Sequence, residues 1–387
     1  MSELQEPPLG LYAHLPWCVR KCPYCDFNSH VYKGALPEAE YVAALLADLD
    51  ADLPLVQGRR VATVFIGGGT PSLFRPESIA ALLEGIAARL PLEPGAEVTL
   101  EANPGTVEHG RFAGYRDAGV NRVSVGAQSF NARQLEVLGR IHGVADTARA
   151  VGELKSGGIG NFNLDIMHGL PEQTVANANE DIERALELEP PHLSHYQLAL
   201  EPGTVFHERP PTLPAEDVAQ EIEATTHVRL TRAGYGQYEI SAWAQPGHEC
   251  RHNLNYWEFG DYLGIGAGAH GKVTDARAGT LVRTVKTKQP REYLERARQH
   301  LSQRTLAEVP ARERPFEFML NALRLPAGFQ VGEFEARTGL PIGAASPSLE
   351  AARARGLVES EGMRWYPTPL GRRFLNDLQS MFLPASG

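Results

Sequence analysis

The stretch Leu11-Tyr-Ala-His-Leu-Pro-Trp-Cys18-Val-Arg-Lys-Cys22-Pro-Tyr-Cys25-Asp-Phe-Asn28 begins as an apolar strand and breaks at Pro16 into a loop. That loop carries three thiols spaced C-x3-C-x2-C. Zinc sites usually gather four ligands, often as two C-x2-C pairs, and no second pair occurs in the chain. Three thiolates on one short loop suit a cubane iron–sulfur cluster, because its soft irons prefer sulfur. A [4Fe–4S] cube on Cys18, Cys22 and Cys25 would leave one iron open to an exchangeable ligand. Lys21, Arg20 and the loop amides are expected to favour the thiolates, since nearby positive charge lowers a thiol pKa. Three buried structural thiols, or a zinc knuckle closed by a distant fourth ligand, are alternative readings of the same spacing.

The whole chain is consistent with an intracellular metal loop. Its four cysteines, three of them in this cluster, are too few for a disulfide framework. With 387 residues, 43% apolar and 22% charged, it has room for one large α/β domain and a smaller one. The net charge of −10 works against non-specific binding to nucleic acid or anionic lipid. Met1 to Gly10 is polar and lacks the apolar run of a secretory signal, and no run of about 18 apolar residues occurs. The expected compartment is the cytoplasm.

Beyond the loop, strand-like runs alternate with helical segments: Leu11–Leu15, Val61–Ile66, Glu97–Glu101, Arg122–Val125, Asn163–Ile166, His192–Leu198 and Gln237–Ala242. Alternating β and α units predict a parallel sheet, open or curled toward a barrel, with ligands at the carboxyl ends of its strands. Gly67-Gly-Gly-Thr-Pro-Ser72 follows the second run, and its missing side chains let backbone approach a ligand closely. It matches neither G-x-G-x-x-G nor a G-K-[ST] phosphate loop. A tight structural turn is the other reading. Glu101 and Gln128 sit at strand ends, and Asp165 lies late in an apolar run where a carboxylate needs a partner. Arg140 offers a guanidinium suited to carboxylates.

Cys18, Cys22, Tyr24 and Cys25 resemble the signature of the radical S-adenosylmethionine (radical SAM) superfamily. The resemblance implies a partial (β/α), TIM-like barrel in which the open iron binds the amino and carboxylate groups of SAM, and the reduced cluster can cleave SAM to a 5′-deoxyadenosyl radical. It also places Tyr24 near the adenine. The ordered set Tyr12, Cys18, Cys22, Tyr24, Cys25, Gly68, Gly69, Thr70, Glu101, Gln128, Arg140, Asp165 and Ala199 is similar to the SAM site of the oxygen-independent coproporphyrinogen dehydrogenase group. By that resemblance Gly68, Gly69 and Thr70 contact the methionine part of SAM, and Glu101 and Arg140 hold its charged end. Gln128 and Asp165 take the ribose, and Ala199 the adenine.

Two branches of that group predict different functions: oxidative decarboxylation of coproporphyrinogen III, or binding of heme and its delivery to an acceptor protein. Three features are similar to the heme-chaperone branch. Phe27 stands where the dehydrogenase carries a further cysteine. Eleven residues precede Tyr12, short of the longer arm expected of the dehydrogenase. Glu249-Cys-Arg-His-Asn-Leu-Asn-Tyr-Trp257 contains H-N-x-x-Y-W, which resembles the chaperones' motif. The expected partners are heme and a heme-accepting protein, such as a respiratory heme protein, with membrane contact only through that partner; a homodimer is left open.

His252 and Cys250 are the leading candidates to ligate heme iron, with His248 and Tyr256 in reserve, since imidazole and thiolate both serve as heme ligands. A packed corner, with His252 and Asn253 bonding backbone, is the alternative. Gly264-Ile-Gly-Ala-Gly-Ala-His-Gly271 reads either as a bland turn or as a close approach bringing His270 to the barrel mouth.

The expected division is residues 1–245 for the radical SAM core and 246–290 for the motif and a glycine-rich connection. Residues 291–387 are expected to form a C-terminal helical, winged-helix-like domain of the dehydrogenase type. After a linker over Lys286–Pro290, helices are expected at Arg291–Gln303, Arg314–Arg324, Val331–Thr338, Pro347–Arg355 and Leu370–Phe382. Leu357–Glu361 and Arg364–Pro367 pattern as a hairpin, and the mixed local charge argues against a nucleic-acid surface.

Overall fold

The structure is a computed structural model describing residues 3–106 and 111–384. While Trp17–Cys18 and His30–Val31 pair as a separate two-stranded ribbon, the first six strands of the large sheet are β1 (Leu9–Leu15), β2 (Val61–Gly68), β3 (Leu92–Ala102), β4 (Arg122–Gln128), β5 (Phe162–His168) and β6 (His192–Gln197). Each pairs parallel with the one before it. Helices such as Glu38–Val56 and Val175–Glu187 supply the crossovers that parallel pairing requires.

Past β6 the sheet changes direction. The expected single strand Gln237–Ala242 is instead two short strands, β7 (Gly236–Glu239) and β8 (Ala242–Ala244), with β8 antiparallel to β6. Glu239 accepts from the Ser241 amide at 3.0 Å and braces the turn that splits the run. At the other side, β9 (Asp261–Ile265) pairs parallel with β1. It is followed by the antiparallel strands β10 (His270–Asp275), β11 (Thr280–Lys286) and β12 (Arg304–Glu308). The twelve-stranded order β12-β11-β10-β9-β1-β2-β3-β4-β5-β6-β8-β7 gives a partial barrel extended at both edges.

Strands buried on both faces of a parallel sheet ordinarily read as continuous apolar runs. Here the outer face obeys that rule through Val123, Val125, Leu164, Ile166 and Leu193, all buried against helices. The alternate residues Arg122, Ser124, Asn163, Asp165 and Ser194 line a cavity. The lumen is therefore polar and partly hollow rather than filled by branched side chains.

The predicted linker begins inside this sheet. Lys286 ends β11 with a fully buried ammonium, 2.5 Å from Asp48 and 2.7 Å from Asp52 on the helix Glu38–Val56. Two carboxylates make that burial tolerable. The helix predicted over Arg291–Gln303 ends at Arg298, and the chain continues into β12. A second apolar core gathers Leu4, Phe259 and Leu281 with Val309, Phe318, Phe334 and Leu349. Its helices Arg314–Ala322, Val331–Thr338 and Ser346–Ala354 precede the hairpin Val358–Glu361 and Arg364–Pro367. Phe329–Gln330 adds a third strand to that hairpin, and the last predicted helix is two helices, Pro369–Arg373 and Leu375–Ser380.

Candidate functional site

Twelve of the thirteen sequence-predicted SAM-site residues line one cavity of about 440 Å³ at the carboxyl ends of the parallel strands. They are Cys18, Cys22, Tyr24, Cys25, Gly68, Gly69, Thr70, Glu101, Gln128, Arg140, Asp165 and Ala199. Tyr12, the thirteenth, lines an adjoining cavity of about 570 Å³ together with His252. Gly68, Glu101, Ser124, Asp165, Ser194 and Phe27 face both spaces, so the two cavities are joined.

The loop that presents the thiols is held close against the glycine turn. A Cβ on Gly69 would stand 2.6 Å from the Trp17 carbonyl oxygen, and one on Gly68, at φ +115°, would stand 2.5 Å from the His14 ring. Glycine is required at both positions. The Thr70 hydroxyl donates to Cys18 Sγ at 3.3 Å, Ser29 Oγ lies 3.8 Å from Cys25 Sγ, and Arg140 Nη1 donates to Cys22 Sγ at 3.9 Å. Burial raises the Cys18 and Cys25 thiol pKa values, and Lys21 opposes this only weakly at Cys25. Arg20 and Lys21 both line this cavity from an exposed stretch of the loop, and the expectation that they favour the thiolates is outweighed by burial at Cys18 and Cys25.

Among the described residues no three His, Cys, Asp or Glu side chains are placed to hold a single metal ion. Three sulfurs spread around one cavity fit a cube, where each thiolate meets a different iron, better than a zinc knuckle. A bound metal keeps its thiols deprotonated outright, so the raised thiol pKa values do not count against such a site.

Glu101 Oε2 accepts from the Gly68 amide at 3.0 Å. Burial and the neighbouring Asp165 push its pKa up to about 7 against that hydrogen bond. Asp165 finds its partners in Asn163 Nδ2, at 2.7 Å, and Ser124 Oγ, at 3.2 Å. Arg140 lies elsewhere, donating to the Gly126 carbonyl at 2.7 Å, while its buried Nε has no hydrogen-bond partner. Gln128 accepts from the Tyr196 hydroxyl at 2.6 Å and takes a left-handed φ of 67°, an uncommon backbone state that recurs at functional sites.

In the larger cavity all four defined residues of H-N-x-x-Y-W, His252, Asn253, Tyr256 and Trp257, form part of the wall. Phe65, Phe259 and Tyr262 add aromatic surface. His252 itself is fully engaged: Nδ1 meets Thr63 Oγ1 at 2.8 Å, Nε2 meets the Tyr256 hydroxyl at 2.9 Å, and the ring stacks on Phe65 at 5.1 Å. Burial and Arg122 push its pKa down to about 3. Cys250 is fully buried, with Sγ 3.6 Å from Glu97 Oε1 and a thiol pKa raised by burial to about 11. Neither presents a free ligand atom to iron, which corrects the sequence expectation; the packed-corner alternative describes His252, though its partners are side chains. The ring of His270, exposed on the same cavity, makes no hydrogen bond among the described residues.

Arg122, Ser124, Asn163 and Ser194 are lumen residues outside the sequence-predicted set. Their signal is the period-two placement of polar residues in runs such as Arg122-Val-Ser-Val-Gly-Ala-Gln128.

A partial parallel barrel with three loop thiols and a glycine turn at its carboxyl rim defines a radical SAM protein. The model of the Radical SAM superfamily matches residues 12–186, and that of the HemN C-terminal domain residues 309–374. The chain is 53% identical to heme chaperone HemW of Escherichia coli (strain K12), covering 97% of this chain and 98% of the relative. It is 50% identical to HemW of Haemophilus influenzae over 97% and 98%, and 35% identical to HemW of Mycobacterium tuberculosis (strain H37Rv) over 96% and 94%. The chain belongs to the HemW heme chaperone family, within the radical SAM superfamily. A solved structure of coproporphyrinogen III oxidase (HemN) from Escherichia coli shares the fold, with a TM-score of 0.81 at 23% identity over 97% of this chain and 90% of that one. Superfamily membership implies a [4Fe–4S] cluster and SAM. Among the described residues no helix is long and apolar enough to cross a membrane.

Proposed function

We propose that this protein binds heme in the larger cavity and passes it to an acceptor protein, carrying beside it a [4Fe–4S] cluster on Cys18, Cys22 and Cys25 with exchangeable SAM. The observation that carries the reading is the convergence of the whole H-N-x-x-Y-W motif on one aromatic-walled cavity joined to the thiol cavity. Its volume of about 570 Å³ suits a ligand of substantial size, as such sites commonly run about 300–1,000 Å³.

Within this reading Gly68, Gly69 and Thr70 bring backbone to the methionine part of SAM, Glu101 and Arg140 hold its charged end, Gln128 and Asp165 hold the ribose, and Tyr24 and Ala199 flank the adenine. Tyr12 sits on the heme side of the shared wall. His252 shapes the heme wall and leaves ligation to another group, of which His270 at the mouth is the free imidazole. The domain ranges 1–245, 246–290 and 291–387 and a cytoplasmic location are retained as parts of the proposal, together with a heme-accepting partner that supplies any membrane contact; a homodimer is open to a sizing measurement.

The joined cavities favour one second reading, a SAM-cleaving enzyme such as a coproporphyrinogen III dehydrogenase, because a ligand in the larger space borders the site proposed for SAM. Incubating the reconstituted protein separately with heme and with coproporphyrinogen III decides between them. Heme delivery predicts a saturable Soret shift and no carbon dioxide release. Carbon dioxide release without heme binding would replace it with the dehydrogenase.

A further inference from the structure

Arg122 begins β4 and turns into the lumen, where it is 2% exposed and lines the larger cavity. A guanidinium so deeply buried is ordinarily paired. This one forms no ion pair among the described residues, and its Nε is buried without a hydrogen-bond partner. The two carboxylates whose charges bear on it, Glu97 and Asp165, have their oxygens committed to other donors. Glu97 accepts from the backbone amides of Arg251, at 3.1 Å, and His252, at 3.0 Å. Asp165 accepts from Asn163 and Ser124. They temper the cost of the buried cation without occupying its N–H groups.

The other cations on the cavity behave differently. Lys272 pairs with Asp261 at 2.8 Å, and Arg283 pairs with Glu317. Of the three, Arg122 alone holds its donors uncommitted. Its planar fork matches a carboxylate bidentately. With Glu97 and Asp165 close by, a monoanionic carboxylate meets less repulsion than a dianionic phosphate. The surrounding walls, Phe65, Tyr256, Trp257 and Phe259, are aromatic, so the acceptor belongs to a molecule that is otherwise broad and apolar.

We propose that Arg122 anchors the ligand of the larger cavity by taking one of its carboxylates, which for heme is a propionate. This inference rests on the heme reading above, and SAM is the other carboxylate source at hand. The test titrates the reconstituted protein with heme and with heme dimethyl ester, with and without saturating SAM, and repeats both titrations on Arg122→Met and Arg122→Lys. Circular dichroism and iron content check that each variant folds.

The expected result is at least tenfold tighter binding of heme than of its diester by the parent protein, with or without SAM. Arg122→Met should bind both equally, and Arg122→Lys should recover part of the preference. Should Arg122→Met fail to fold, the comparison of heme with its diester on the parent protein still decides. Equal binding of heme and diester by the parent protein would leave heme binding standing and overturn the anchor. A preference that vanishes when SAM is present would assign the guanidinium to the SAM carboxylate and overturn it too. Failure to bind either porphyrin would remove the heme reading itself, and the anchor with it.

Discussion

The two cavities share a wall and are built in opposite ways. Around the thiols, reactive groups stand at strand ends and on a loop with few partners: three free cysteines, the unpaired Nε of Arg140, and a Gln128 backbone held in a left-handed turn. Around the motif, the residues that look most reactive are tied to one another. His252 is held between Thr63 and Tyr256, Asn255 donates to the Asp261 carbonyl at 2.8 Å, and the Arg324 guanidinium lies 4.2 Å from the Trp257 ring. Substitution should therefore abolish ligand binding on one side and weaken the fold on the other.

The largest effect is expected at the thiols. Changing Cys18, Cys22 and Cys25 together to Ala should take reconstituted iron from about four per chain to none, with the circular dichroism spectrum kept. Retention of iron would remove the loop from the proposal. Gly69→Ala comes next. Its Cβ meets the Trp17 and Pro16 backbone at 2.6–2.8 Å, so the turn and the cysteine loop must part. SAM affinity, measured by equilibrium dialysis on the reconstituted protein, is expected to fall at least tenfold, a loss of about 1.4 kcal/mol or more. Unchanged affinity would mean that the close approach is packing alone.

How much of this was readable from residues follows the same division. The thiol cavity announces itself because its parts are local or sit at strand ends: one loop, one glycine turn, and Glu101, Gln128 and Asp165 at positions that strand periodicity locates. The motif cavity misleads because its partners are remote. The group that occupies His252 Nδ1 is Thr63, 189 residues away, and nothing within H-N-x-x-Y-W indicates it. Lys286 looks like linker until Asp48 and Asp52, more than 230 positions earlier, close on it. Arg122 sits at the first position of a run in which Arg122, Ser124 and Gln128 share one face, a pattern that a reading for continuous parallel-strand burial passes over. Local chemistry is visible in a sequence; satisfaction by distant partners becomes visible only in the fold.

On the motif side, His252→Ala should leave iron content intact and destabilise the fold by about 2–4 kcal/mol in denaturant melts. It leaves the Thr63 and Tyr256 hydroxyls without this partner and opens a void against Phe65. An iron-free but fully stable variant would invert the comparison.

Buried imidazoles also make the fold sensitive to acid. In the unfolded chain a histidine takes up its proton near pH 6.5; burial lowers that to about 4 at His142 and His168 and to about 3 at His252. His192 and His195 are pushed well below the usual value as well. The unfolded state thus binds more protons as pH falls below 6.5. Stability is fully present above that pH and is lost toward 4, by up to about 1.4 kcal/mol per pH unit for each imidazole. Glu101, at about 7, and Asp181, at about 6, are protonated first in the folded state and act in the opposite direction. Burial also raises Asp48, Asp165 and Glu258 and lowers His14, His30, His227 and His270, so five carboxylates stand against nine imidazoles and thermal midpoints should fall from pH 6.5 to 5. A flat or rising profile would show that these rings are hydrated.

The smallest effect separates the two sides at their common wall. Glu101 faces both cavities, and burial together with Asp165 holds its pKa near 7. If it receives the cationic end of SAM, the bound state requires the carboxylate. Affinity should then rise from pH 5.5 to 7.5 and level off, falling by as much as tenfold per pH unit below 7. Glu101→Gln keeps the shape and removes the charge. It should flatten that profile and, at pH 7.5, weaken SAM by about tenfold, in keeping with the loss of one charge-assisted hydrogen bond. At any one pH the heme affinity of Glu101→Gln should match that of the parent protein, because the anchor proposed there is the Arg122 guanidinium. A Glu101→Gln variant whose heme titration moves while its SAM titration does not would place this carboxylate on the heme side of the wall.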